Sequence, residues 1–390
     1  MPAHKYLIIG GGMTGDAAIR GIRQVDEDGS IGMISEEPHP PYNRPPLSKS
    51  LWAGKAESSI WRPLDDLNVD AHLGRRAIAL DAEKKQVEDH AGEIHSFEKL
   101  LLAVGGSVNR FPFGGDEIIY FRNLDDYRRL LALAEKKERF AVIGGGFIGS
   151  EIAAALIAKG RTVTMLFPEE NVGANLFPQE IASHMTSLFQ NNGATVLSGQ
   201  LVTNIEKKGE EFIISTESED SLVVDAVVAG IGIKPNISLA AEAGLDVQKG
   251  ILVNKFLQTS HPDIYAAGDA AEFFISALGS HVVVEHEENA NMAGYLAGMG
   301  MAGTAQEYDY LPYFYSSIFD IKYEGVGETS SRLETVIDWK DPLQEGVVYY
   351  LSNGRVRGVV CWNLRKKLKS ARGIIGESGP FEAADLIGKI

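Results

Sequence analysis

Two glycine-rich strings carry the most legible chemistry in this chain: Gly10-Gly11-Gly12-Met13-Thr14-Gly15 and Gly144-Gly145-Gly146-Phe147-Ile148-Gly149. Each follows an apolar run, Tyr6-Leu7-Ile8-Ile9 in one case and Phe140-Ala141-Val142-Ile143 in the other, and each opens a helix-like stretch. Glycines at such a junction let the backbone approach a pyrophosphate, whose charge then sits at the positive end of the helix. Two such junctions predict two bound dinucleotides, and two dinucleotides on one chain point to electron transfer between them. The lone Cys361 means that no protein dithiol takes part.

The elements around each string are those that must position it. The first reads strand, turn, helix and then a second strand, Ile31-Gly32-Met33-Ile34-Ser35, which ends at Glu36-Glu37. That places an acid about 20 residues beyond the glycines, where a carboxylate accepts hydrogen bonds from ribose hydroxyls. The second repeats the pattern with a helix from Ser150-Glu151-Ile152 to Lys159 and a strand Thr162-Val163-Thr164-Met165-Leu166. Here Phe167-Pro168 intervene before Glu169-Glu170, and no arginine follows to clamp a 2′-phosphate. The carboxylates therefore favour NADH over NADPH.

Further blocks separate the two units and close them. Lys99 to Gly106 reads as a strand ending in a glycine turn, and Val224 to Gly232 repeats that form. Asp263-Ile264-Tyr265-Ala266-Ala267-Gly268-Asp269-Ala270 is the next marker. From Gln306 aromatics gather, a hairpin is expected about Asn353-Gly354, and a last helix follows Trp362, giving an α+β tail.

With 390 residues the chain is long enough for two or three domains. Its 53 acidic residues against 37 basic ones give a net charge of −16, which argues against a nucleic-acid partner. The basic run Arg365-Lys366-Lys367-Leu368-Lys369 is expected to be the solvated face of a helix. Met1-Pro2-Ala3-His4-Lys5 passes almost directly into the first apolar run, and no apolar stretch reaches the roughly 20 residues of a membrane span. The expectation is a soluble, cytoplasmic protein with no membrane partner. His281, Glu285, His286 and Glu287 form a cluster whose spacing fits no strong ligand pattern, so no metal is expected.

In this order the blocks resemble the two-dinucleotide flavoprotein reductases of the glutathione-reductase-like fold class. The string Pro40-Pro41-Tyr42-Asn43-Arg44-Pro45-Pro46-Leu47-Ser48-Lys49 is similar to the signature of apoptosis-inducing factor and its relatives, the ferredoxin, rubredoxin and monodehydroascorbate reductases. Leu166-Phe167-Pro168-Glu169, the Val284-Glu285-His286 segment with Ala290 and Gly294, Val359-Val360-Cys361-Trp362-Asn363 and Ala371-Arg372-Gly373-Ile374-Ile375 resemble the apoptosis-inducing factor branch most. Tyr308 to Ser316 is closer to the monodehydroascorbate reductases.

The resemblance implies an α/β fold with two Rossmann-like dinucleotide-binding domains and a C-terminal α+β domain. The FAD domain would be discontinuous, at residues 1–115 and 241–305, with the NADH domain at 116–240 and the tail at 306–390. FAD would be held by Gly10, Gly12, Met13, Thr14, Gly15, Glu36, Ala103, Gly105 and Gly268. Arg44 would contact its pyrophosphate and Asp269 its ribityl or phosphate end. NADH would be held by Gly144, Gly146, Phe147, Ile148, Gly149, Glu169 and Gly232. Glu285 and His286 would lie near the flavin or nicotinamide, with Glu285 serving both cofactors.

Lys49 matches the family lysine beside the flavin and Glu151 its carboxylate partner, a catalytic pair that would also bridge the two nucleotide domains. Phe147 either shields the flavin until nicotinamide displaces it or packs the helix. The family's flavin-stacking aromatic falls on Asp320, and a one-residue shift gives Phe319. The implied activity is an FAD-dependent NAD(P)H oxidoreductase that passes hydride from NADH to FAD and electrons to a ferredoxin or rubredoxin, a quinone or a radical. The alternative is a redox-sensing interaction protein with a stable reduced-flavin–NAD charge-transfer complex. A homodimer is carried as an expectation.

Overall fold

The parallel strands end on a common row, and that row decides where the glycine strings lie. A computed structural model describes residues 2–218 and 221–390. One compact unit comprises Met1–Arg44, Glu57–Ser107 and Lys234–Tyr313. In its main sheet the parallel strands lie in the order Val69–Leu73, Ile31–Ser35, Ala3–Ile9, Ile94–Leu102, and Ile264–Ala266 also pairs with Ile94–Leu102. Ile9 pairs with both Ile34 and Leu102, and Leu102 pairs with Ala266, so four carboxyl ends finish together. Loops far apart in sequence are thereby gathered at one edge, where parallel sheets bind ligands. The runs Leu7-Ile8-Ile9 and Leu100-Leu101-Leu102 are buried throughout, as strands covered on both faces must be. Gln86–Asp89 and Ala77–Asp81 extend the same sheet in antiparallel fashion, and nothing in their sequence had marked them as strands.

Two helices of this unit, Met13–Val25 and Glu287–Met301, pack against each other with unusually close backbones. A Cβ on Gly21 would overlap the carbonyl oxygen of Tyr295, and one on Gly298 would overlap that of Ala18. A Cβ on Gly294 would overlap the carbonyl oxygen of Thr14. Such proximity maximises dispersion contact and admits no side chain at these three places. The helix bearing Asp16 is also pinned by charge. Asp16 is fully buried and accepts from Arg20 and, at 2.6 Å, from Arg62 Nε. Arg62 donates in turn to Asn43 and Asn291, which fixes the Pro-rich loop and the second helix to the first.

The other unit comprises Pro45–Ala56, Val108–Ile233 and Phe314–Ile390. Its parallel sheet runs in the order Thr195–Ser198, Thr162–Phe167, Arg139–Ile143, Ala226–Ala229, Ile119–Tyr120. Ile143 pairs with Leu166 and with Ala229, so the second glycine string also leaves a shared row of strand ends. An antiparallel sheet follows in the order Tyr313–Ile318, Ile321–Gly327, Arg355–Trp362, Glu345–Ser352, Glu334–Asp341. The Asn353-Gly354 hairpin joins two of these strands, both turn residues having positive φ as that tight turn requires.

One expectation changes. The helix near the C-terminus spans Leu368–Gly376, so Arg365, Lys366 and Lys367 precede it and form no helix face. Lys366 has φ +63 and belongs to the turn leading in. Lys49 and Glu151, expected as a pair, both fall in the second unit and are joined there at 2.6 Å. No helix among the described residues is long and apolar enough to cross a membrane.

Replacing Gly298 with Val forces the two helices of the first unit apart, because the obstacle is backbone and cannot rotate away. The expected cost is about 1–3 kcal/mol, read as a lowered thermal midpoint. An unchanged midpoint would show that the helix contact is dispensable.

Candidate functional site

The two glycine strings are built alike. Gly10 and Gly144 have φ of +116 and +112, which other residues rarely adopt. A Cβ on Gly10 would overlap the carbonyl oxygen of Ala103, and one on Gly144 would overlap that of Gly230. A Cβ on Gly15 or Gly149 would overlap the carbonyl oxygen of Gly10 or Gly144, so each helix sits directly on its own turn. The middle glycines differ. At Gly12 a Cβ would meet nothing nearer than Arg44 Nη2 at 3.9 Å, and at Gly146 nothing within 4 Å. Both precede a helix without a side-chain cap, so the first backbone N–H groups remain for an anion. Outer glycines that close the turn and a middle one that leaves room are what a pyrophosphate needs, and the residues fit it twice.

In the first unit, Arg44 is held over the glycine turn. Its backbone N–H donates to Met13 Sδ at 3.3 Å, and its guanidinium is paired with Glu37. Tyr42 completes the set, accepting from Arg44 Nη1 at 3.2 Å and donating to Glu37 at 2.5 Å. Burial opposes the Arg44 charge, but Tyr42 and Glu37 outweigh it and raise its pKa, so the cation is secure. Glu37 and Tyr42 were not among the expected site residues; their places beside Glu36 and Arg44 were the available signal. Glu36 itself stands in solvent, its side chain 76% exposed and 3.8 Å from Arg76.

Gly268 brings a third segment to the same turn, since a Cβ there would collide with Thr14 Oγ1. Asp269 follows it on a short helical turn, Gly268–Ala270, and interacts electrostatically with both Arg44 and His286. Gly105 accepts from the backbone N–H of Asn236 at 2.9 Å, which shapes the loop after Ala103. His286 is the cap residue of the helix Glu287–Met301, and burial lowers its pKa to about 4 against the pull of Asp269. It is neutral at physiological pH and contributes shape and a hydrogen-bonding ring with no charge. Glu285, one residue earlier, is exposed and belongs to this first unit.

In the second unit the focus is Glu151, on the helix Phe147–Ala158 one turn after Phe147. Its side chain is 2% exposed. Lys49 Nζ donates to Oε1 at 2.6 Å, Ser316 Oγ donates to Oε1 at 2.6 Å, and Ser48 Oγ donates to Oε2 at 2.5 Å. Lys49 also lies 5.3 Å above the ring of Tyr315. Tyr323 is the remaining polar neighbour; burial and then the Glu151 charge push its phenol pKa up, so it stays protonated. Tyr315, Ser316 and Tyr323 were not expected, because only the fold brings the C-terminal sheet to this helix; Ser48 was missed although it adjoins Lys49.

Phe147 is 36% exposed and meets Phe314 edge-on at 5.3 Å and Tyr323 at 6.3 Å. It therefore packs and remains accessible together. Asp320 and Phe319 were the positions expected for the flavin-stacking aromatic. Those two residues form the turn between Tyr313–Ile318 and Ile321–Gly327, where Phe319 packs on Phe189 at 5.2 Å and Asp320 is exposed. Ile148 lies beside Phe147 and is 38% exposed. Glu169 accepts from Asn175 at 2.8 Å just beyond the strand Thr162–Phe167. The Gly232 loop is tied by Asn109, whose backbone N–H and side chain donate to Gly232 and Ile231.

Comparison with known proteins places these features in a lineage. The profile of the pyridine nucleotide-disulphide oxidoreductases matches residues 4–294. The chain is 30% identical to mitochondrial apoptosis-inducing factor 1 of Dictyostelium discoideum, over 95% of this chain and 78% of that one. It is 32% identical to monodehydroascorbate reductase 3 of Arabidopsis thaliana, over 92% and 89%. It is also 32% identical to the 5,5'-dehydrodivanillate O-demethylase ferredoxin reductase subunit of a Sphingobium strain, over 96% and 94%. Among solved structures, the ferredoxin reductase of the CYP199A2 system from Rhodopseudomonas palustris superposes with a TM-score of 0.89 at 30% identity, covering 98% of both chains.

Removing only the lysine leaves the buried Glu151 carboxylate short of its cation. Lys49→Ala should lower stability by about 1–3 kcal/mol, and Glu151→Gln on that background should recover part of the loss because the uncompensated charge disappears. Additive effects in denaturant melts would show that the two side chains do not interact.

Proposed function

Because the chain belongs to the pyridine nucleotide-disulphide oxidoreductase family, we propose that it carries electrons from NADH through FAD to an iron–sulfur protein of the ferredoxin type. It is an FAD-dependent NAD(P)H oxidoreductase. When bound, the nicotinamide supplies a hydride and the flavin accepts it and releases electrons to an acceptor.

The observation that carries this reading is the glycine cradle built twice in a chain whose single cysteine is inert. Burial pushes the Cys361 thiol up to about 12, so it is neither a nucleophile nor half of a redox pair. Electrons must then leave to an external acceptor. A ferredoxin-type protein is favoured because a relative and a structural neighbour similar over nearly their whole lengths are named ferredoxin reductases.

The first string, with Arg44 and Asp269, is assigned to FAD: Arg44 offsets pyrophosphate charge, and Glu37 with Tyr42 holds its guanidinium in place. Ala103, Gly105, Glu36, Glu285 and His286 are assigned to the same cofactor. The second string, with Gly232, is assigned to NADH. Glu169 supports NADH over NADPH, since a carboxylate fixed by Asn175 repels a 2′-phosphate. Lys49 is assigned as the cation that stabilises negative charge accumulating on the reduced flavin, and Glu151 as the group that holds it extended. Phe147 is assigned as an aromatic cover, its ring braced by Phe314 yet open to solvent.

Gly149→Val tests the assignment of the two strings. The new side chain cannot fit over the Gly144 carbonyl oxygen, so the protein should keep its yellow cofactor while reduction by NADH slows at least ~100-fold. Loss of the flavin with NADH affinity intact would reverse the assignment.

A further inference from the structure

Three histidines converge in the first unit on residues that the dinucleotide chemistry does not use. His4 lies on the strand Ala3–Ile9, His72 on Val69–Leu73 and His95 on Ile94–Leu102. One ring nitrogen from each lies within 4.8 Å of the others. His4 is 7% exposed and His95 fully buried, and His4 Nε2 and both nitrogens of His95 have no hydrogen-bond partner. Buried imidazoles ordinarily find partners, and one left unpaired is destabilising. Unpaired nitrogens on two buried imidazoles of one cluster therefore need a reason.

We propose that His4, His72, His95 and Asp70 form a binding site for a divalent transition-metal ion, with zinc the ion that suits it best. Asp70 Oδ2 lies 3.2 Å from His72 Nε2 and 3.8 Å from His4 Nε2. Metal–ligand bonds of about 2.0–2.1 Å in a tetrahedron put neighbouring donor atoms roughly 3.3 Å apart, so these separations need only small side-chain adjustments. Three imidazoles and one carboxylate, with no thiolate, form a nitrogen–oxygen donor set of the kind zinc accepts.

The surroundings agree. Gly32 lies on the strand between those of His4 and His72, and a Cβ there would stand 2.5 Å from Cδ2 and 2.6 Å from Nε2 of His4. The His4 ring occupies that position only because the residue is glycine. Asp89, fully buried and 3.7 Å from His95 Nε2, adds negative charge beside the cluster. It is fixed by the backbone N–H groups of Ala91 and Glu93 and by Arg75. The side chains of His72 and Asp70 are 18% and 59% exposed, which gives an ion a way in. Bound there, a metal would tie three strands of the sheet together.

The test uses the untagged, FAD-loaded protein, freed of metal with a chelator and titrated with zinc in a calorimeter. One zinc per chain is expected, with X-ray absorption at the zinc edge showing imidazole neighbours. His72→Gln and Asp70→Asn alter the two more exposed ligands and should retain the flavin, confirming the fold. Each should weaken zinc binding at least about tenfold. Absence of binding to the wild-type protein, binding unchanged in both variants, or an absorption spectrum without imidazole would each overturn the proposal.

Discussion

A carboxylate taken out of water must be given hydrogen-bond donors, and Glu151 obtains them from two stretches of chain remote from its own helix. Ser48 and Lys49 come from the turn after the Pro-rich segment, Ser316 from the first strand of the C-terminal sheet, and Glu151 itself from the helix of the second glycine string. Burying a lone carboxylate costs several kcal/mol, so the helix, turn and sheet are stable in this arrangement only together. The same constraint extends Lys49 past Tyr315 and brings Phe314 and Tyr323 beside Phe147. The catalytic reading of Lys49 thus depends on a structural requirement of its partner.

The glycine strings solve a different problem. A strand must stop, the backbone must turn without side chains in the way, and a helix must start with its N–H groups uncovered. Gly10, Gly12 and Gly15 accomplish this in one unit and Gly144, Gly146 and Gly149 in the other, against the same kinds of backbone obstacle. Because parallel strands finish in register, each string arrives with neighbours: Ala103 and Gly268 beside the first, Gly230 beside the second. The fold positions the site through strand register before any polar contact is made.

What the sequence discloses follows from how local each requirement is. The glycine turns, the strand Ile31–Ser35 and the Asn353-Gly354 hairpin are governed by near neighbours and read directly. The antiparallel strands Ala77–Asp81 and Gln86–Asp89 have no clean alternation, Ala77–Asp81 having mostly part-exposed side chains, and their pairing shows only in the fold. Ser316 was visible as a serine in an aromatic stretch, but its role depends on a residue far away in sequence. Which way Phe319 turns was not legible, because the hairpin between Tyr313–Ile318 and Ile321–Gly327 sets it and brings its ring to Phe189. The basic run at Arg365 was misread because a positive φ at Lys366 delays the helix.

The most direct test of the account is a two-step anaerobic experiment on the purified protein. NADH is added while the flavin band is followed, and an oxidised iron–sulfur ferredoxin is then mixed in. The band is expected to bleach with NADH and to return rapidly on mixing with the ferredoxin as the latter is reduced. A reduced protein that persists with ferredoxin present, and survives opening to air, would contradict electron delivery and point to a redox sensor.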